Sequence, residues 1–293
     1  MRIKPNIRIL LFALIFLIGL SILLYPVVSN SWNQYLASKA MKAYDNKVEE
    51  LEPAEINEAI EAARDYNDKL LPKAVPDAFS IREGISDTEY EKLLNTVGGG
   101  MMGYIEIPII DVKSPIYHYT TEETLQKGVG HLFGSSLPIG GKGTHAVLTA
   151  HRGLPSNKLF SDLDKVVIGD KFFITICKET VAYQVDHIEV VEPDQTQGLA
   201  LMDGKDYVTL VTCTPYGVNT HRILCRGHRI PYVPKEKDEI KPRAWVNMNL
   251  MFAIVGALFG ILIALVLTIR MKKRGPIQIE EPQEKERKVI HLK

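Results

Sequence analysis

The sequence of 293 residues lacks a surplus of either charge sign: 35 Lys and Arg balance 35 Asp and Glu, giving a formal net charge of zero. Nucleic-acid binders usually show a basic excess, so no nucleic-acid partner is expected. Cysteine is scarce, with residues only at 177, 213 and 225. Three are too few for a disulfide scaffold, and their spacing offers no CxxC pair for zinc. HExxH and EF-hand patterns are missing too, so neither a metal nor a cofactor is expected. No internal repeat is visible. Charged residues make up 24% and apolar residues 46%, which excludes a wholly disordered chain and a multi-span membrane protein.

The apolar residues concentrate in two uncharged runs, 9–28 (ILLFALIFLIGLSILLYPVV) and 248–269 (MNLMFAIVGALFGILIALVLTI). Each has about the 20 residues that cross roughly 30 Å of hydrocarbon as a helix. Arg2, Lys4 and Arg8 precede the first run. Its apolar stretch exceeds the roughly 7–15 residues of a cleaved signal core, so it reads as a retained anchor. Arg270, Lys272, Lys273 and Arg274 follow the second run, a stop-transfer pattern. The expected organisation has residues 1–8 in the cytoplasm, a span at 9–28, an extracellular part from 29, a second span at 248–269, and a basic cytoplasmic tail at 270–293.

Residues 31–70 are polar and helical in pattern, with Trp32, Tyr35, Leu36 and Met41 as one apolar stripe and Ile56, Ile60 and Ala63 as another. Pro53 breaks the run and suits the first turn of a second helix. The segment reads as a solvated stalk or a helical hairpin. Residues 71–85 form a Pro-punctuated loop, 88–94 a short helix, and Gly98-Gly99-Gly100 a boundary. Short β segments begin at Met101. Residues 104–110 alternate, 146–150 lead to His151, and 171–177 with 181–191 flank a KET turn as a hairpin. Residues 207–213 and 222–226 add two more strands. Close spacing of short strands suggests an antiparallel barrel or sandwich over 101–232. Residues 233–247 read as a charged linker.

Cys177 and Cys225 lie inside apolar strand runs and read as small buried hydrophobes. Cys213 ends the run VTLVTC before Thr214-Pro215-Tyr216-Gly217, and Pro215 cannot continue a central ladder. A thiol at a strand end can meet a substrate, although spacing alone leaves a nucleophile and an ordinary strand-end thiol both open. A nucleophilic thiol needs a nearby cation and a His partner. Of eight histidines, His151 stands at a strand end before Gly153 and Pro155. Arg222 lies on the strand returning from the Cys213 loop, where a guanidinium can steady a thiolate or an oxyanion. An ordinary ion-pair Arg is the other reading.

The stretches 145–155 (HAVLTAHRGLP) and 209–222 (TLVTCTPYGVNTHR) resemble the sortases, the membrane-anchored cysteine transpeptidases of Gram-positive surfaces. GYIEIPII (103–110), PIYH (115–118), GVGHLFGSSLPIGG (128–141) and LFSDLDKV (159–166) resemble the pilin-polymerising class C branch, as does a second span after the catalytic domain. The resemblance covers roughly 70–232. It implies a mostly β fold: a closed eight-stranded sortase-type barrel with short helices, after a helical N-terminal region (29–100) and between two transmembrane helices. It also implies Cys213 as nucleophile, His151 as catalytic His and Arg222 as catalytic Arg. The class carries a lid loop, placed here at about 74–85, usually with an Asp-Pro-aromatic motif. This chain reads Asp77-Ala78-Phe79, without the middle Pro. Asp77 is expected to pair with Arg222 and Phe79 to cover Cys213; an ordinary turn packing its Phe on the barrel is the alternative.

The implied reaction cleaves an LPxTG-like sorting signal through a Cys thioester and passes the acyl group to a Lys amine of another pilin subunit. Implied partners are pilins or other surface proteins with such signals, and the cell membrane. A wall-anchoring sortase using a peptidoglycan-precursor amine is the alternative within the family; an anchored, non-enzymatic surface protein is the alternative outside it. A sorted substrate would carry LPxTG just before its span, where this chain reads VPKEKDEIKPRAWVN. L,D-transpeptidase and papain-like readings fail on the residues around Cys213.

Overall fold

The computed structural model describes residues 5–70, 76–79 and 86–243, with helical stretches between 254 and 270. The chain divides into two compact units, one of residues 1–24 and 247–293 and one of Tyr25–Val246. Helix α1 (Pro5–Glu50) carries the first apolar run. Among the described residues it is the one helix long and apolar enough to cross a membrane, and its apolar window is unburied. The second expected span, 248–269, is described only in part, as helix at 254–261, 263–264 and 268.

In the larger unit, Glu52 and Glu55 form a capping box for α2 (Pro53–Lys69), with Pro53 opening the first turn. The strands are β1 (Met101–Ile107), β2 (Val112–His118), β3 (Val129–His131), β4 (Thr144–Thr149), β5 (Lys171–Ile176), β6 (Glu179–Val191), β7 (Asp206–Thr214) and β8 (His221–Ile230). Helix α3 (Glu122–Lys127), capped by Thr121, sits between β2 and β3, and α4 (Pro234–Glu239) follows β8. The strands close into a barrel in the order β1-β2-β3-β4-β7-β8-β6-β5. Closure removes every free sheet edge. Inside it, Phe172 stacks on Tyr183 across β5 and β6, ring centroids 5.5 Å apart. Gly227 of β8 leaves room for this pair, since a Cβ there would lie 2.6 Å from the Phe172 ring.

Several expectations change. The barrel is not wholly antiparallel: β2–β3 and β4–β7 pair in parallel. Residues 104–110 do not make one alternating strand. β1 starts at Met101, is buried on both faces up to Ile105, and gives way at Pro108 to a 3-10 turn. Its outer face is buried because α1 lies on it through Met41, Tyr44 and Val48, packed with Met101 and Tyr104. The Tyr44 hydroxyl donates to Met102 O at 2.9 Å and accepts from Cys177 N at 3.0 Å. The helical region is therefore docked on the barrel and is not a solvated stalk. Of the stripe expected on α1, only Met41 packs inward; Trp32, Tyr35 and Leu36 are exposed. Helix α2 does bury Ile60 and Ala63, and its Asn67 side chain holds Leu137 through both N (2.7 Å) and O (3.1 Å). The 88–94 helix shrinks to a 3-10 turn, Tyr90–Lys92. The β5–β6 turn is Cys177-Lys178, both at positive φ, and β6 already starts at Glu179.

Candidate active site

Strand β7 delivers Cys213 and β8 delivers Arg222, and the antiparallel register sets the two opposite each other. The connecting turn is closed by Val218 N and Asn219 N, both donating to Pro215 O at 3.0 Å. Arg222 thus arises from hairpin geometry: nine residues after the thiol, the chain has come back beside it.

His151 follows β4. The parallel ladder of β4 with β7 ends at Thr149 opposite Val211. The association runs on past that pair, with Ala150 N donating to Val211 O at 3.2 Å and Thr212 Oγ1 donating to Ala150 O at 2.8 Å. Continued by two residues, this register sets position 151 level with position 213, on strands about 4.8 Å apart. The His151 Nε2 lies 3.3 Å from Glu122 Oε1 of α3, which steadies the ring. Cys213, His151 and Arg222 therefore meet at one end of the barrel.

The described part of the expected lid, 76–79, covers this end. Asp77 accepts from Arg222 Nε at 2.9 Å and from Nη2 at 2.8 Å, a bidentate ion pair. The Arg222 guanidinium lies 4.9 Å from the Phe79 ring centroid, and that ring lies 6.0 Å from the His151 ring. Ala78 is buried with Leu132, Val147, Leu199, Val211 and Leu224. Even without the motif's middle Pro, Asp77 pairs with Arg222 and Phe79 lies against the Arg222 guanidinium and the His151 ring.

Electrostatics at the sulfur are opposed. Burial pushes the Cys213 thiol up from its ordinary value, the Arg222 charge pulls it down, and Asp77 pushes it up again. On balance the thiol is held toward its neutral form. Cys225 is pushed up to about 12 by burial, and Cys177 is raised, first by burial. His131 is driven down to about 4 by complete burial, and His118 and His145 are lowered by burial. These three are structural: His131 lies between the Tyr90 hydroxyl and Ser136 O, both at 2.7 Å. Among the described residues no group of three or more His, Cys, Asp or Glu is placed to share a metal ion.

A family model of the sortase domain matches residues 105–230. The crystal structure of sortase C-1 from Streptococcus pneumoniae superposes with a TM-score of 0.62 at 45% identity, covering 67% of this chain and 100% of that one. Sortase C1 of Streptococcus agalactiae does so at 0.60 and 46% identity, covering 67% and 100%. The chain belongs to the sortase family. Sortase D of Bacillus subtilis is a more distant relative, 26% identical over 165 residues, 55% of this chain and 80% of that protein. Sortases are cysteine transpeptidases acting on surface proteins with sorting signals, and the matched domain contains all three residues gathered here.

The sequence assigned no role to Arg152. In this sortase its side chain is 8% exposed. Nη1 donates to Thr214 Oγ1 at 2.8 Å, Nη2 pairs with Asp164 at 2.5 Å, and the guanidinium lies 6.0 Å from the Tyr216 ring centroid. Among the described residues its buried Nε has no hydrogen-bond partner. Arg152 thus ties the residue after His151 to the residue after Cys213. Glu122 was also missed. Its only signal was an acidic residue following Thr121, a helix start.

Proposed function

We propose that this sortase is a membrane-held, pilin-polymerising transpeptidase with Cys213 as nucleophile. The observation that carries the reading is the pairing of Cys213 with Arg222 across the β7–β8 hairpin, level with His151 after β4. The Cys213 thiolate attacks the Thr carbonyl carbon of an LPxTG-like signal. Arg222 donates to the carbonyl oxygen as it gains charge, where a preorganised donor acts most strongly. The C–N bond breaks, and the His151 imidazolium gives its proton to the departing glycine amine. The neutral ε-amine of a pilin Lys then attacks the thioester, its proton passes to His151, and the C–S bond breaks to restore the thiolate. Only molecules with thiolate and imidazolium together are active, so a bell-shaped pH profile is expected.

The lid is part of this reading. Asp77 and Phe79 occupy the guanidinium and cover the His151 ring, so the signal peptide enters only after they withdraw. Withdrawal removes the carboxylate that raises the thiol and frees the guanidinium that lowers it. Two spans, 9–28 and 248–269, hold the barrel at the outer membrane surface with both termini inside. In support, the apolar part of α1 has the required length, and the solved neighbours include sortase C1 of GBS Pilus Island 1.

The test uses the full chain in detergent with an LPxTG peptide and two acceptors, a Lys-bearing pilin peptide and a peptidoglycan-precursor amine. Transfer to the Lys peptide, lost in Cys213→Ala, is the expected result. Transfer only to the precursor amine would replace pilus assembly by wall anchoring. Transfer that survives Cys213→Ala would overturn the catalytic assignment.

A further inference from the structure

On one small patch the barrel holds the two segments that lead to the apolar runs. On the N-terminal side, Lys158 N donates to Asn30 Oδ1 at 2.8 Å and Asn33 Nδ2 donates to Ser156 O at 2.7 Å. On the C-terminal side, Arg243 binds both oxygens of Asp170 at 2.8 and 3.0 Å and donates to Lys165 O at 2.9 Å. The two sides adjoin: Lys158 Nζ donates to Ile110 O at 2.6 Å, and Arg243 N donates to the neighbouring Ile109 O at 2.9 Å. Asn30 lies two residues beyond the first apolar run, about 3 Å of helix rise. Arg243 lies five residues before position 248, at most about 18 Å of extended chain. This patch is therefore within reach of the bilayer at both ends.

Beside it protrudes an apolar tip. Val167 and Ile168 are adjacent, exposed and β-branched, with Ile168 67% exposed. The tip is rigidly presented. Val167 N donates to Asp170 Oδ2 at 2.8 Å, Asp170 N donates to Val167 O at 3.1 Å, and Gly169 N donates to Val185 O at 2.8 Å. Gly169 takes a positive φ of 96° that the turn requires. The side chain that braces Asp170 is Arg243, on the segment leading to the second apolar run. On α1, just past Asn30, Trp32 and Tyr35 are exposed with ring centroids 5.8 Å apart. Such rings favour the headgroup level of a membrane.

We infer that the Val167-Ile168 turn is a membrane-contact surface, inserted at the headgroup–acyl boundary of the lipid bilayer, and that it sets the height and tilt of the catalytic barrel. The inference rests on the reading that 9–28 and 248–269 lie in the membrane. Two anchors alone leave a barrel free to rock; a third, apolar contact next to both exits fixes a plane. The binding mode is that of a shallow interfacial insertion, in which apolar side chains leave water while the backbone turn stays hydrogen-bonded.

The test places tryptophan at the tip of the full chain and reconstitutes it in phosphatidylcholine vesicles with acyl chains brominated near the headgroup. In Ile168→Trp, fluorescence added over the parent is expected to fall by roughly half, since an interfacial side chain reaches about 5–10 Å into the boundary. Val190→Trp, an exposed position on β6, is expected to be unaffected. Val167→Trp repeats the measurement should the first variant misfold. Quenching of the parent's own Trp32 and Trp245 reports the membrane reading separately. Parent quenched with residue 168 unquenched overturns the contact alone; parent unquenched overturns both.

Discussion

Cys213 and Cys225 occupy the same β-hairpin, are both buried and both pushed up by burial, and differ in what stands opposite them. Cys225 pairs with Leu210 in the middle of the ladder, fully buried, and burial pushes it up to about 12. Cys213 pairs with Arg222 at the mouth, where a guanidinium works against its burial. Three register positions along the β7–β8 ladder separate a thiol sealed among apolar side chains from one that faces a guanidinium. The proposed reactivity follows from position in the hairpin: at its end a loop, a cation and the His that follows the neighbouring strand coincide.

The comparison breaks most visibly at Arg222. Arg222→Ala removes the cation and is expected to lower kcat/KM on a sorting-signal peptide by about 10²- to 10³-fold, the loss typical of an oxyanion donor. An unchanged rate would mean the mouth owes nothing to its guanidinium. Arg152→Ala is expected to lower kcat by about 10- to 100-fold with little change in KM, because it loosens the His151–Cys213 spacing without touching the peptide. Arg152→Lys should restore part of the rate. Equal losses for both variants, or a shift in KM alone, would argue against positioning.

A smaller effect, of opposite sign, is expected at the lid. Asp77→Asn removes a carboxylate that raises Cys213, so the thiol should titrate lower and react faster with a small alkylator at neutral pH. An unchanged alkylation rate would leave the lid a packed turn and no gate. The smallest effect is at Cys225. Its pKa is raised in the folded state, so unfolding favours ionisation, and stability falls as pH rises from about 8.5 to about 12 and is untouched below. Cys225→Ala is expected to cost about 1–3 kcal/mol, flatten that alkaline decline and leave acyl transfer intact. Denaturant melts at several pH values check both.

Much of the site was legible from local chemistry. A thiol before Pro215, a His before Gly153 and Pro155, and an Arg returning from a short loop are strand-end signals that need no knowledge of the fold. The closed barrel came from resemblance, because alternation along a strand does not say which strand lies next to it. That is why the parallel pairs β2–β3 and β4–β7 were not foreseen, although β4–β7 is what sets His151 level with Cys213. β1 misled for a related reason. Its outer face looked ready for solvent, but Tyr44 and its neighbours on α1 cover it. Arg152 was invisible until Thr214 was placed beside it; in sequence it is one more Arg after a strand. The Asp77–Arg222 ion pair was anticipated only through the family motif, since nothing local links Asp77 to a residue 145 positions away.

The most direct measurement of the central claim is to quench the full chain in acid during reaction with a sorting-signal peptide, digest it, and locate the acyl group by mass spectrometry. A thioester on the peptide containing Cys213, with none on those containing Cys177 or Cys225, is the predicted result. An acyl group on Cys177 or Cys225, or release of the glycine fragment with no acylated cysteine, would contradict it.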